Sequence, residues 1–212
     1  MQQDAVEKTR NYVQCVMEKY KDATHDWLHI ERVWKMSKIL AQREKAGMFI
    51  VEMAALLHDV DDFKFNEGTN KSKDWLESLG LDTDTINRIL HIVENISFKG
   101  AAEENKMQTI EGKVVQDADR LDAMGAFGIA RAFTYAGYKN IPIFDPSIKV
   151  RDGMKSDQYK KLGGSAVNHF HEKLLLLKDR MSTKTGRSIA EGRHNFMELF
   201  LEQFFKEAEG ER

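Results

Sequence analysis

The chain has 212 residues, 42% hydrophobic and 31% charged, with 32 basic against 34 acidic side chains. That length allows one packed core, since single cores extend to roughly 200–250 residues, and a net charge of −2 gives no overall electrostatic footprint for nucleic acid. No stretch approaches the ~18 continuous apolar residues of a membrane helix; the lone Cys15 excludes an internal disulfide, and a polar, charged Met1 to Arg10 without signal-like character points to a reducing cytoplasm.

Strand signatures are scarce and helical periodicity is common. Val6, Val13, Val16 and Met17 mark a first helix. Asp26 is placed to cap a second, with Leu28, Val33, Met36, Ile39 and Leu40 on its apolar side. Gly47 precedes a third, which carries Val51, Ala54, Ala55 and Leu57 and ends near His58-Asp59. Residues 61–70 are polar and predict a loop, followed by a helix from Lys71 to Leu79 that Gly80 terminates, and another from Thr83 to Asn95. A longer helix is expected from about Glu103 to Met124, then one from Ile129 to Tyr135 after Gly125 and Gly128. Gly137 to Asp157 holds both prolines, Pro142 and Pro146, and predicts a long ordered loop or lid. Helices around Ser165 to Lys178 and Ser188 to Glu207 follow. The expectation is one all-α domain over 1–212, its bundle completed by the C-terminal helices of about 160–207, with no repeats or linker.

Seven histidines occur, and position singles out two of them. His58 follows the apolar run Met53-Ala54-Ala55-Leu56-Leu57, and Asp59, Asp61 and Asp62 come directly after it. An imidazole and a carboxylate at the edge of a core cost free energy unless something compensates, and a divalent cation would. His29 lies beside the apolar face of the second helix. Further on, Asp117, Asp119, Arg120 and Asp122 stand in an otherwise apolar helix around Val114, Val115, Ala118 and Leu121. The order is therefore His, His-Asp, Asp. Imidazole nitrogens with carboxylate oxygens and no sulfur suit Mn, Fe, Co, Ni, Zn or Mg, and not a cysteine-built zinc cage. A six-coordinate ion held so would keep open positions for water and a substrate oxygen, as hydrolysis requires. Mn or Fe gives that geometry most naturally.

The stretches His25-Asp26-Trp27-Leu28-His29-Ile30-Glu31-Arg32-Val33-Trp34, Ala55-Leu56-Leu57-His58-Asp59 and Val115-Gln116-Asp117-Ala118-Asp119-Arg120-Leu121-Asp122-Ala123-Met124-Gly125-Ala126 resemble the HD-domain metal-dependent phosphohydrolases, whose motif is H…HD…D. Within them the chain is similar to the small bacterial and fungal HD hydrolases, through Asn168-His169-Phe170 and Arg193-His194-Asn195-Phe196-Met197 as well. The resemblance implies a helical bundle of nine or ten helices around a central metal, held by His29, His58, Asp59 and Asp119, with His25 the rival for the first position. Mn is the expected ion. Asp59 would also touch a bridging water if a second metal bound. Glu94-Asn95-Ile96-Ser97 lacks a second histidine that some relatives carry, which argues for one metal.

Around these ligands, Asp62 is a candidate general base, against a solvated loop acid. Asp122 is a candidate to face substrate, against a helix-packing acid. Lys64, Arg32, Arg120, His169 and Lys173 are candidates for phosphate contacts; for Arg32 and Arg120 a salt bridge is the alternative, and for His169 and Lys173 a helix interface. Nucleotides are the usual substrates of the resembling family. The expected reaction takes nucleoside or deoxynucleoside triphosphates to monophosphate and pyrophosphate. Removal of phosphate from monophosphates, phosphodiesterase activity and a nucleotide-binding regulatory module with a metal site stand as alternatives. No membrane or nucleic-acid partner is expected; a homodimer is left open.

Overall fold

The structure is a computed structural model and describes residues 2–19, 26–61, 70–96, 107–151 and 164–211. Among them are nine α-helices and no strand, as the sequence predicts: α1 (Gln2–Met17), α2 (Trp27–Glu44), α3 (Met48–Leu57), α4 (Lys71–Ser78), α5 (Thr83–Asn95), α6 (Ile110–Asp122), α7 (Gly125–Tyr138), α8 (Ala166–His169) and α9 (Lys184–Ala208). A π-helical turn (Phe170–Leu174) and a 3-10 stretch (Leu175–Arg180) continue α8. The chain divides into two compact units: Met1–Ser97 with Asn105–Asp119, and Phe98–Glu104 with Arg120–Arg212.

In the first unit α3 is the central helix. It packs against α1, α2 and α5, and every residue from Ile50 to Leu57 is buried. Apart from Glu52, which accepts a hydrogen bond from Trp34 Nε1 at 3.1 Å, these residues are apolar and offer no solvent face, so the helix belongs in the middle of a core. The polar pair His58-Asp59 is thereby delivered to the edge of that core. Asp26 caps α2, accepting the His29 N–H at 2.8 Å. The inward face of α2 differs from the sequence expectation. His29, Ile30, Val33, Ser37, Leu40 and Ala41 are buried, while Leu28 and Ile39 face outward, 56% and 45% exposed. Asp61 accepts the N–H groups of Lys71 and Ser72 at 2.9 and 3.1 Å at the start of α4.

Within the second unit α7 packs on α9 and α8 packs on α7. Phe170, fully buried, stacks on Phe200 with ring centroids 5.9 Å apart, and Phe133 meets both rings. Three boundaries depart from expectation. α7 starts at Gly125 rather than Ile129. α9 starts at Lys184, where Thr183 caps it by accepting the Gly186 N–H at 2.9 Å. α6 begins at Ile110, with the Thr109 hydroxyl accepting the Gly112 N–H at 3.2 Å; its expected start near Glu103 lies outside the described residues.

Candidate metal centre

Three helices of the first unit bring the motif residues together. His29 sits in the first turn of α2, His58 and Asp59 directly follow α3, and Asp119 lies in the last turn of α6. His29, His58 and Asp59 are buried; the Asp119 side chain keeps 32% of its surface. The Nε2 atoms of His29 and His58 are 3.3 Å apart. Asp59 Oδ2 is 3.5 Å from each of them. Asp119 Oδ1 is 3.5 Å from His29 Nε2 and 4.0 Å from His58 Nε2.

One hydrogen bond sets the chemistry of this cluster. His58 Nδ1 lies 2.8 Å from the carbonyl oxygen of Ala55. A carbonyl only accepts, so Nδ1 carries the proton and a neutral ring presents its Nε2 lone pair toward His29. Metal-ligating imidazoles are commonly oriented this way, by a partner on the other nitrogen. The spacing fits as well. Donor atoms bound at ~2.1 Å lie ~3.0 Å apart at right angles and ~4.2 Å apart across an ion. The separations among His29, His58 and Asp119, 3.3 to 4.0 Å, fall between those limits. The donor set of imidazole nitrogens and carboxylate oxygens fits a borderline or hard divalent ion. Among the described residues His29, His58 and Asp119 form one group able to hold a metal.

Residues 27–124 match the HD domain family model. Across 96% of this chain and 94% of its own length, the uncharacterized Bacillus subtilis protein YpgQ is 41% identical. The chain belongs to the HD-domain superfamily of hydrolases. An HD-superfamily hydrolase from Bacillus thuringiensis is 44% identical over 99% of both chains, with a TM-score of 0.79. The structure of YpgQ in complex with ADP superposes with a TM-score of 0.78 at 37% identity, over 97% of this chain and 96% of that one. The family match opens on the helix that carries His29 and closes two residues beyond Asp122, so all four converging side chains fall inside the HD segment.

The other candidates are distributed differently. Asp62, Lys64 and the rival His25 lie outside the described residues. Arg32 is half-buried on α2, one turn from His29; its neighbour Glu31 pairs with Lys35 at 3.1 Å. Asp122, 5% exposed, receives a hydrogen bond from Arg131 Nη1 on α7 at 2.6 Å. Arg120 is buried and donates through Nη1 to the carbonyl of Arg180. His169 and Lys173 stand one turn apart where α8 passes into the π-helical turn. Burial, and then the charge of Lys173, push the His169 pKa down to about 3, so this ring is neutral at physiological pH. His91 is exposed and shares hydrogen bonding with Asn95 at 3.4 Å, while His194 pairs through Nε2 with Glu198 at 3.2 Å.

Sequence reasoning missed the Ala55 carbonyl that orients His58 and the Arg131 partner of Asp122. The first had a signal: a histidine closing a helix has the carbonyl three residues back within reach. The second had none, because Arg131 looks like any solvated helix residue.

Proposed function

We propose that the chain is a metal-dependent phosphohydrolase acting on nucleotides, and that it cleaves nucleoside or deoxynucleoside triphosphates to monophosphate and pyrophosphate, consuming one water per turnover. The observation that carries this reading is the convergence of two imidazole Nε2 atoms and two carboxylate oxygens, with His58 held in the metal-binding tautomer by Ala55. His29, His58, Asp59 and Asp119 would hold the ion, with manganese preferred. When bound, such an ion supplies Lewis acidity toward a phosphoryl oxygen and lowers the pKa of a water.

The chain's own residues do the rest. Asp59, with Oδ2 equidistant from both rings, has its second oxygen to orient a water, and Asp62 is the candidate to take a proton from it. Arg32, one turn from His29, and Lys64 are assigned to the phosphates, where cationic side chains offset the charge that develops during transfer. His169 and Lys173 are assigned to substrate as a neutral donor and a cation. Arg120 and Asp122 have strong partners of their own, which favours bracing roles for both. The ADP complex of YpgQ supports a nucleotide as ligand, and the near full-length match to relatives supports a single hydrolase domain over 1–212.

The test is a metal-by-substrate screen. Chelator-stripped protein is reloaded with Mn, Mg, Co, Ni or Zn and offered nucleoside triphosphates, monophosphates and cyclic nucleotides. Phosphate and pyrophosphate are measured separately. Pyrophosphate from triphosphates, lost in Asp119→Ala, is the expected result. Phosphate from monophosphates alone would replace the pyrophosphohydrolase reading with a phosphatase. Metal binding without turnover of any substrate would replace it with a binding module.

A further inference from the structure

The turn that ends α6 is fastened more heavily than a helix end requires. The last carbonyls of a helix lack partners within it. Here the Arg120 carbonyl accepts the Ala123 N–H at 3.1 Å and the Leu121 carbonyl accepts the Met124 N–H at 3.0 Å. The Leu121 carbonyl then takes a second hydrogen bond, from Arg193 Nη1 on α9. Gly125 makes room for that arginine. It has φ of +67°, and a Cβ there would lie 3.1 Å from Arg193 Cγ and 3.2 Å from Arg193 Cβ. A side chain at position 125 would therefore be strained by the backbone and would crowd the arginine stem. A cation at this end of α6 also suits the helix dipole. Burial lowers the Arg193 pKa while the charge of Asp122 opposes the shift.

Asp119 stands two residues before Leu121 on the same helix. At 1.5 Å per residue, that is about 3 Å along the axis. Over so short a distance a helix transmits a displacement almost undiminished. We propose that Arg193 is a positioning residue for the metal centre, holding Asp119 in register with His29 and His58 through the carbonyl of Leu121. The inference rests on the metal-dependent reading above. Arg193 touches neither ion nor substrate in this role; it acts on where one carboxylate stands.

The experiment measures Mn(II) affinity by calorimetry and by the EPR signal of free Mn(II), using the full chain at 20 °C. Wild type comes first: absence of Mn(II) binding there would remove the metal-dependent reading itself. Arg193→Ala is expected to weaken Mn(II) binding on the order of tenfold, with far-UV circular dichroism unchanged. Added guanidinium ion at millimolar concentration is expected to restore part of the affinity. Phe200→Leu serves as the control for stability alone; it loosens the second unit's aromatic cluster and is expected to lower the melting temperature with wild-type Mn(II) affinity. If Arg193→Ala does not fold, Arg193→Met, which keeps an apolar stem and removes the donor, takes its place, with the same expectation for affinity. A folded Arg193 variant that binds Mn(II) as wild type does would overturn the proposal and leave the metal site standing.

Discussion

His58 donates through Nδ1 to the carbonyl of Ala55 at 2.8 Å, and that bond decides which of its nitrogens meets His29. The donor lies one helical turn beyond its acceptor, so the geometry comes from α3 itself. His58→Ala and Asp119→Ala are expected to abolish tight Mn(II) binding while leaving helical content intact, because both side chains sit at the rim of the core and not inside it. Calorimetry and far-UV circular dichroism check the two halves of the statement; wild-type affinity in either variant would contradict it.

Metal removal should destabilise the protein without unfolding it. An ion present at 100 times its dissociation constant stabilises the state that binds it by ~2.7 kcal/mol. For a chain of this size that corresponds to a melting temperature lower by roughly 5–10 °C after chelation. Calorimetric scans with and without chelator read the shift, and re-addition of Mn(II) should reverse it.

His169 gives the protein an acid-sensitive element. Its folded pKa, about 3, lies below its unfolded value of 6.5. The unfolded chain therefore takes up the proton first, and the His169 contribution to stability is constant above pH 6.5 and declines as pH falls from there toward 3. The slope is at most ~1.4 kcal/mol per pH unit. Urea unfolding of wild type and His169→Asn between pH 7.5 and 4 should show a steeper loss in wild type; parallel curves would contradict the assignment.

Asp122 and Arg131 form an ion pair with side-chain exposures of 5% and 21%. Removing one partner of a buried pair strands the other charge, at a cost of about 3–5 kcal/mol. Arg131→Ala is expected to fall near the lower end, since the stranded acid still has the charge of Arg193 nearby. Denaturant titration gives the stability loss. A stable Asp122→Asn with kcat collapsed would instead restore Asp122 to the catalytic role that its place on α6 suggested.

Asp26→Ala tests the entry to α2. Loss of a capping carboxylate that accepts the His29 N–H at 2.8 Å should cost about 1 kcal/mol. Since His29 is itself the capped residue, Mn(II) affinity should drop as well. Asp26→Ser should recover most of both.

The motif was legible because each piece of it is local. An apolar run that stops at His-Asp, and acids inside an apolar helix, announce themselves in single windows of sequence, and the all-α class follows from period alone. The face of α2 was misread because Leu28 and Ile39 lie outward while His29 and Ser37 lie inward. Hydrophobicity cannot rank a buried histidine above an exposed leucine. The link from Arg193 to Leu121 spans 72 positions and ends on a carbonyl, so neither its distance nor its acceptor leaves a trace in composition. The start of α7 at Gly125 was hidden for a related reason. A glycine with positive φ usually closes a helix, and here it opens one.

The π-helical turn at Phe170–Leu174 amounts to one residue more than an α-helix would need over that length. Deleting a single residue there would let the backbone revert to ordinary α geometry, and the side chains beyond the deletion would keep nearly the same faces, because the bulge adds a residue without adding a turn. Phe170 would keep its place against Phe200, and Leu174 and Leu177, both buried, would stay on the inward side. This stretch should therefore tolerate the loss of one residue better than the insertion of another. A relative one residue shorter between 170 and 174 would be expected to carry an uninterrupted α-helix there, packed on the same face.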